Sequence, residues 1–334
     1  MALTPPLASA SLSTMNESDV LIVGAGIAGL LCATELQQAG LQVRLVDKGR
    51  GVGGRMATRR MGGGRLDHGA QFFTARDERF QTYVREWLDH GVIREWYRNA
   101  NADTNGQNHI RYCGVTGMSD APKYLARKLD VCCAERIQLL SRKQGQWIAT
   151  SESGQVYCAR ELVITAPLPQ ALQLLDSTDL DYAGSDLPAL RQIAYAKGLA
   201  LLAILDGPSG IPLPGAIKLA NGEVDWIADN QLKGISPDGV VGVTVHATAA
   251  FAEEYWDTAD AVRGPLLITA VQKMLQSNIV EYKCHRWGFT HPLHPWPAKY
   301  YRNAEINLTL AGDAFGGPRV ESAALSGLEA ATQL

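Results

Sequence analysis

Val20-Leu21-Ile22-Val23 is an unbroken apolar run, the pattern of a strand buried on both faces of a parallel sheet. A glycine turn follows, and from Leu30 to Ala39 apolar residues recur at helical spacing, with Gly40 placed to close that helix. Leu41 to Val46 reads as a second strand ending at Asp47, which completes one β-α-β unit. A glycine- and arginine-rich loop is expected from Gly49 to Arg65. Glu78 to His90 is predicted as a helix with Phe80, Tyr83, Val84, Trp87 and Leu88 on one face. Pro122 to Leu129 suggests another, capped by Ser119 or Asp120.

Gln138 to Ile148 and Gln155 to Cys158 look like hairpin strands. Glu161 to Thr165 looks like a buried strand stopped by Ala166-Pro167-Leu168-Pro169. From about Asp186 to Tyr282 the texture changes. Leu199 to Leu205 and Val240 to Val245 are the clearest strands there, and Ala259 to Leu275 the clearest helix. Ile306 to Ala311 then returns as a buried strand and Ser322 to Ala331 as a closing helix. The pattern predicts a dinucleotide domain interrupted by a second domain, with the end of the chain returning to complete the first. The expected division is residues 17–75, 118–175 and 300–334 for the cofactor, and 76–117 with 176–299 for the substrate. Residues 1–16, uncharged up to Met15, are expected to form a disordered leader.

Charge narrows the classes. The 31 basic and 34 acidic residues leave a net charge of −3, without the basic footprint of a nucleic-acid binder. No stretch approaches the roughly 18 apolar residues of a spanning helix, so no membrane partner is expected. The six cysteines form no C-x-x-C pair and stand in no zinc-ligand spacing, so no metal is expected and the thiols suit a reducing cytoplasm.

The chemistry begins at Gly24-Ala25-Gly26-Ile27-Ala28-Gly29. Gly24 permits the tight turn, Gly26 lets backbone approach a pyrophosphate, and Gly29 lets helix pack on strand. Asp47 stands where a carboxylate accepts from ribose hydroxyls, and it would repel a 2′-phosphate. The turn alone implies an adenine dinucleotide. Two further blocks favour FAD over NAD. Gly53-Gly54 permits a second close backbone approach and Arg55 offers a donor fork to a phosphate. Far along the chain, Leu308 to Asp313 is a buried strand ending in Gly312-Asp313, where the aspartate suits a ribitol hydroxyl. A helix N-terminus near Val320 suits negative charge at a flavin pyrimidine. The fold class expected is thus α/β, an FAD-binding Rossmann-like domain with an inserted α+β substrate domain.

Several blocks together resemble the renalase family, a branch of the monoamine-oxidase-like flavoproteins. They are Gly24 to Gly29, Asp47-Lys48, Gly51 to Arg59, Asp67-His68-Gly69-Ala70-Gln71-Phe72-Phe73-Thr74, Trp226 to Asn230, His285-Arg286-Trp287 and Gly312-Asp313. A polar stretch from Asn99 to Asn108 departs from that pattern. The resemblance implies a p-hydroxybenzoate-hydroxylase-like architecture with non-covalent FAD at the junction of two domains. It also implies oxidation of dihydro-NAD(P) isomers reduced at the wrong ring carbon, with O2 as acceptor. The expected partner is therefore a small reduced nicotinamide nucleotide.

The expected cofactor set comprises Gly24, Gly26, Ile27, Ala28, Gly29, Asp47, Lys48, Gly53, Gly54, Arg55, Met56, Gly69, Ala70, Gln71, Phe72, Ile137, Gly312, Asp313 and Val320. Gln71 and His246 are the candidates for direct roles in the chemistry. Trp226, His246, Arg286 and Trp287 are the candidate substrate walls. Hydride transfer to a flavin needs positioning in a dry pocket and no protein nucleophile. An amine oxidase or desaturase of the same superfamily shares every cofactor motif and stays open as an alternative. A binding protein like the GDP-dissociation inhibitors is the alternative outside enzymes.

Overall fold

The computed structural model describes residues 16–98 and 109–334. The leader up to Met15 and the polar stretch 99–108 lie outside the described residues; Asn16, assigned to the leader, opens the first strand. That strand, Asn16–Val23, sits at the centre of an eight-stranded sheet. On one side it pairs in parallel with Val43–Val46, which pairs with Asp130–Cys132. On the other it pairs with Val156–Ile164, which pairs with Leu308–Leu310. The register aligns Val23 with Val46 and with Ile164, and Ile164 with Leu310. Four parallel strands therefore end at one edge, where Gly24, Asp47, Thr165 and the turn before Gly312 meet. In open α/β sheets that edge is where ligands bind.

Each covering helix follows from its sequence. Ile27–Gln38 buries Leu30, Leu31, Ala33 and Leu36 and ends at Gly40, whose φ of +91° suits the left-handed closing position. Glu78–Asp89 is capped by the Asp77 side chain and buries Phe80, Tyr83, Val84 and Trp87. These four pack in the same core as Leu30 and Ala324, together with Ile93 and Cys113. The stretch 76–117, assigned from sequence to the substrate part, thus contributes to the core beside the dinucleotide helix.

Some local expectations change. The loop from Gly49 to Arg65 contains a short 3-10 turn, Gly54–Met56, and an antiparallel hairpin, Thr58–Met61 with Gly64–Asp67. Gln138 to Ile148 divides into Ile137–Lys143 and Gln146–Ser151, because Gln144 and Gly145 turn the chain at φ +50° and +81°. The strand Val156–Ile164 ends just before Ala166-Pro167-Leu168-Pro169, as expected, and the chain goes on into a helix, Leu168–Leu175, with proline in its first turn, the position proline tolerates.

The second sheet has five antiparallel strands in the order Ala216–Lys218, Val224–Asp229, Gly242–Ala247, Gly198–Leu205, Ile279–Trp287. Side chains alternate between its faces. Leu199, Leu201, Ile227, Val243 and Val245 pack on Leu267, Val271 and Leu275 of the helix Asp260–Leu275. On the opposite face Leu202 and Ile204 receive Met61 and Leu66 of the Thr58–Asp67 hairpin. The chain leaving that hairpin, Asp67 to Phe73, runs between the second sheet and the glycine-rich edge of the first. Among the described residues no helix is long and apolar enough to cross a membrane.

Candidate active site

At the glycine-rich edge, Gly24 has φ +115°, and a Cβ there would lie 2.6 Å from Thr165 Oγ1. A Cβ at Gly29 would lie 2.1 Å from the Gly24 carbonyl oxygen, so helix and turn touch only because neither residue has a side chain. Gly26 differs, because a Cβ there meets nothing within 4 Å. Its bare backbone fronts open space at the N-terminus of Ile27–Gln38, whose first turn has no side-chain cap and no acid. Unpaired N–H groups at such an end attract a phosphate. Ile27 and Ala28 are buried in the helix behind it. Gly53, at φ +109°, donates its N–H to the Ala25 carbonyl, and a Cβ on Gly54 would come 3.8 Å from Gly26 Cα. The two glycine blocks, 24 residues apart or more in sequence, form one cradle.

Asp47 accepts from Ala25 N at 2.7 Å and Gly49 N at 2.6 Å, so its carboxylate braces both glycine-rich segments. A carboxylate has further lone pairs for a ribose hydroxyl. Lys48 reaches sideways to Gln170 Oε1 at 2.7 Å. Met56 and Ile137 are core residues, each in one of the two hydrophobic clusters flanking the first sheet. Their side chains pack inward because they are apolar, leaving only backbone for a ligand.

Arg55 meets the other end of the chain. Its guanidinium forks onto Asp313, NH1 to Oδ2 at 2.5 Å and NH2 to Oδ1 at 2.8 Å, and NH1 also reaches the carbonyls of Phe289 and Thr290. Both residues were expected to address the ligand separately, one through a phosphate and one through a ribitol hydroxyl. The structure pairs them, because a planar fork and a carboxylate match in shape and charge. Tyr195 donates to the same carboxylate at 3.0 Å, and burial beside it pushes the phenol pKa upward. Gly312 is held by Ser326 Oγ at 2.8 Å, and a Cβ on Gly327 would strike the Ala28 carbonyl at 2.1 Å. Ser326 ties the closing helix Val320–Ala331 to the Gly312 turn, and Gly327 lets that helix pack on the dinucleotide helix at Ala28, roles no motif announced. The next residue in that helix after Val320, Glu321, accepts from the backbone N–H groups of Arg76 and Asp77.

The second sheet supplies the facing wall. Trp226 lies opposite His246, His246 opposite Ala200, and Ala200 opposite His285. Directly opposed residues share a face, so these four form one row across four strands. Trp287, two residues beyond His285, joins that face and donates from Nε1 to the His68 carbonyl at 2.8 Å. His68, His285 and Trp287 form a ring cluster with centroids 4.4–5.1 Å apart. His246 lies within its strand, one residue before the end, where the sequence placed it just beyond.

Arg286 does not belong to this wall. Strand alternation sends it to the other face, where it is exposed, stacks over Trp256 at 5.6 Å and donates to the Trp256 carbonyl. His68 and His285 take the place expected of it. The Phe72 ring lies 5.8 Å from that of Trp226 and 6.5 Å from that of Trp96.

Burial makes these imidazoles neutral. The pKa of His68 is lowered to about 3 by burial, then by His285 and Arg59 nearby. That of His246 is lowered to about 4, chiefly by burial. His285 is lowered by burial and by Arg59. Four buried polar atoms around this row have no partner: His68 Nδ1, Gln71 Oε1, Trp226 Nε1 and His246 Nε2. Gln71 is both tie and candidate contact. Its amide donates to the carbonyls of Asp67 and Gly69, leaving Oε1 unpaired. Gly69 and Ala70 press on Arg55, where a Cβ on Gly69 would lie 2.0 Å from the carbonyl oxygen and Ala70 N donates to it.

Beneath lies a group that sequence reasoning missed. Lys233 and Asp67, both wholly buried, pair at 2.7 Å, and Lys233 also donates to the Gln71 carbonyl at 2.6 Å. Asp67 further accepts from Thr58 Oγ1 and Met118 N. The only available signal was a lysine closely following Trp226 to Asn230, which spacing alone does not distinguish from a surface charge.

Residues 95–334, most of the chain, match the family model described as flavin containing amine oxidoreductase. The chain belongs to that family. Residues 22–87 match an NAD(P)-binding Rossmann-like domain. A carotenoid 3,4-desaturase of Haloarcula japonica is 38% identical over 93 residues, 26% of this chain and 19% of the desaturase. The chain thus matches about a fifth of that relative's length. Among solved structures, putrescine oxidase bound to putrescine has a TM-score of 0.73 at 15% identity, covering 96% of this chain and 99% of the other. A CLA-producing fatty acid isomerase from P. acnes has a TM-score of 0.70 at 11% identity, covering 95% and 98%. Both show the shared fold.

The family is flavin-dependent, and the residues here fit a flavin nucleotide. Gly26 and Gly54 leave a cradle that a Cβ would encroach upon, the helix N-terminus behind them is uncapped, and unpaired buried polar atoms face the junction. The protein is a flavin-dependent oxidoreductase of the amine oxidase superfamily.

Proposed function

We propose that the protein is a renalase-like oxidase that binds FAD non-covalently and oxidises dihydronicotinamide nucleotides reduced at the wrong ring carbon. FAD, with its adenosine half, suits the cradle of Gly24, Gly26 and Gly54 and the carboxylate of Asp47 better than FMN does. Non-covalent binding is supported by Cys284, which strand alternation places with the apolar cluster on the far face of the second sheet. FAD held by these residues would supply hydride-accepting chemistry, with O2 and a solvent proton taking the electron pair as H2O2.

One observation carries the substrate reading. The wall offers an indole N–H donor at Trp226 beside acceptors at Gln71 Oε1 and the neutral imidazoles of His246 and His68. A primary carboxamide presents an acceptor for the indole N–H and two donors for two of those three acceptors. The ring stacks of His68, His285 and Trp287 suit a flat heteroaromatic. A cationic amine finds less here, since Asp67, the buried carboxylate next to these groups, is already neutralised by Lys233.

The test is anaerobic mixing with NADH, its 2- and 6-dihydro isomers and simple amines while flavin bleaching is followed. Fast bleaching by the 2- or 6-dihydro isomers is expected. Bleaching by amines alone would reject the reading in favour of an amine oxidase, and bleaching by none would favour a desaturase. Acid precipitation is expected to leave the yellow colour in the supernatant.

A further inference from the structure

Arg111 lies on the strand Ile110–Gly114, opposite Tyr97 of Ile93–Arg98. Its guanidinium stacks 4.3 Å over the Phe72 ring and 4.9 Å over the Tyr97 ring, and NH1 donates to Tyr97 Oη at 2.5 Å. No carboxylate pairs with it among the described residues. Two aromatic faces and one hydroxyl thus hold the cation in a fixed orientation while most of its five donors stay unused. Phe72, on which it rests, is 5.8 Å from Trp226, whose indole N–H is one of the unpaired buried atoms of the candidate active site.

We propose that Arg111 recognises a phosphate on the substrate and makes the enzyme selective for dihydronicotinamide nucleotides over the corresponding nucleosides. This rests on the function proposed above. A half-buried arginine held by stacking, without an acid, keeps its fork free for an incoming anion, and the bidentate geometry matches phosphate oxygens. Much of the rotamer entropy of ordering it is already lost in the folded protein. The same cation, next to the aromatic wall, repels an ammonium group, which agrees with a substrate that is not a cationic amine.

The experiment uses the flavin-loaded wild type with Arg111→Met and Arg111→Lys, and the 2- and 6-dihydro isomers of nicotinamide mononucleotide and nicotinamide riboside. In the wild type, kcat/KM for the mononucleotide is expected to exceed that for the riboside by about 10- to 100-fold. In Arg111→Met the ratio is expected to fall to near one through KM, and in Arg111→Lys to an intermediate value. An unchanged ratio in Arg111→Met overturns the proposal. If neither compound bleaches the flavin, the substrate reading fails, and binding of oxidised nicotinamide mononucleotide decides the anion site. A shift in flavin absorbance lost in Arg111→Met supports it, and an equal shift or none rejects it. Arg111-dependent bleaching by an α-amino acid would transfer the site to a carboxylate and reject phosphate.

Discussion

Lys233 Nζ lies 2.7 Å from Asp67 Oδ2 with both side chains fully shielded from solvent. The pair ties the second sheet to the Asp67–Gln71 segment between the sheets, since Lys233 also bonds the Gln71 carbonyl and Thr244 Oγ1 bonds that of Asp67. A buried pair gives little net stability against an apolar substitute, but breaking it strands a charge. Lys233→Met is therefore expected to cost about 3–5 kcal/mol in urea unfolding. The double variant Lys233→Met with Asp67→Asn should recover much of that loss. A double variant as unstable as the single one would show that the hydrogen bonds of Asp67 matter more than its charge.

Gly26 and Gly29 belong to one motif but are glycine for different reasons. Gly29→Ala forces a Cβ onto the Gly24 carbonyl, so the flavin-free protein itself should lose at least about 2 kcal/mol. Gly26→Ala meets no protein atom, so flavin-free stability should stay near wild type while flavin affinity drops about tenfold. Thermal melts with and without added FAD separate the two.

The buried imidazoles set an acid limit. An unfolded histidine titrates near 6.5, whereas His246 in the fold titrates near 4. Between those values the unfolded chain binds the extra proton, so stability falls as pH drops from about 6.5 toward 4 and is retained above that window. His68, lowered to about 3, extends the loss further into acid. His246→Asn should flatten the slope of unfolding free energy against pH between 4 and 6.5. The same slope in that variant would assign the acid limit elsewhere.

Strand alternation divides the His285-Arg286-Trp287 block. Arg286→Ala is expected to change flavin reduction less than about twofold, because its contacts are with Trp256 on the far face. Trp287→Ala removes the bond to the His68 carbonyl and one ring of the cluster, and should slow reduction about tenfold or more. Stopped-flow bleaching with a single substrate compares the two directly.

Much of the fold was legible because its signals are local. The apolar run before Gly24, the glycine spacing and the return at Leu308–Leu310 each follow from what a buried parallel strand or a tight turn requires of its own residues. The family resemblance pointed to Gln71, His246, Trp226 and Trp287 as candidates; Trp226 and His246 lie opposite each other on the second sheet, and Gln71 and Trp287 both bond the Asp67–Gly69 segment. One predicted strand contained a turn the pattern did not mark, at Gln144-Gly145, and the short helix Leu168–Leu175 was not foreseen.

Partnership was not legible. Arg55 and Asp313 are 258 positions apart, and each alone had reason to face a ligand; only the meeting of the two strand ends lets the charges satisfy each other. Lys233 and Asp67 find each other in the same way, and the strand register decides that His285, not Arg286, joins His68. The sequence by itself determined the flavoprotein framework, because glycines at a turn act through their own backbone. The tertiary structure decided which charges are spent on each other and which, like Arg111, keep donors free, because side-chain pairing depends on distances that chain order does not contain.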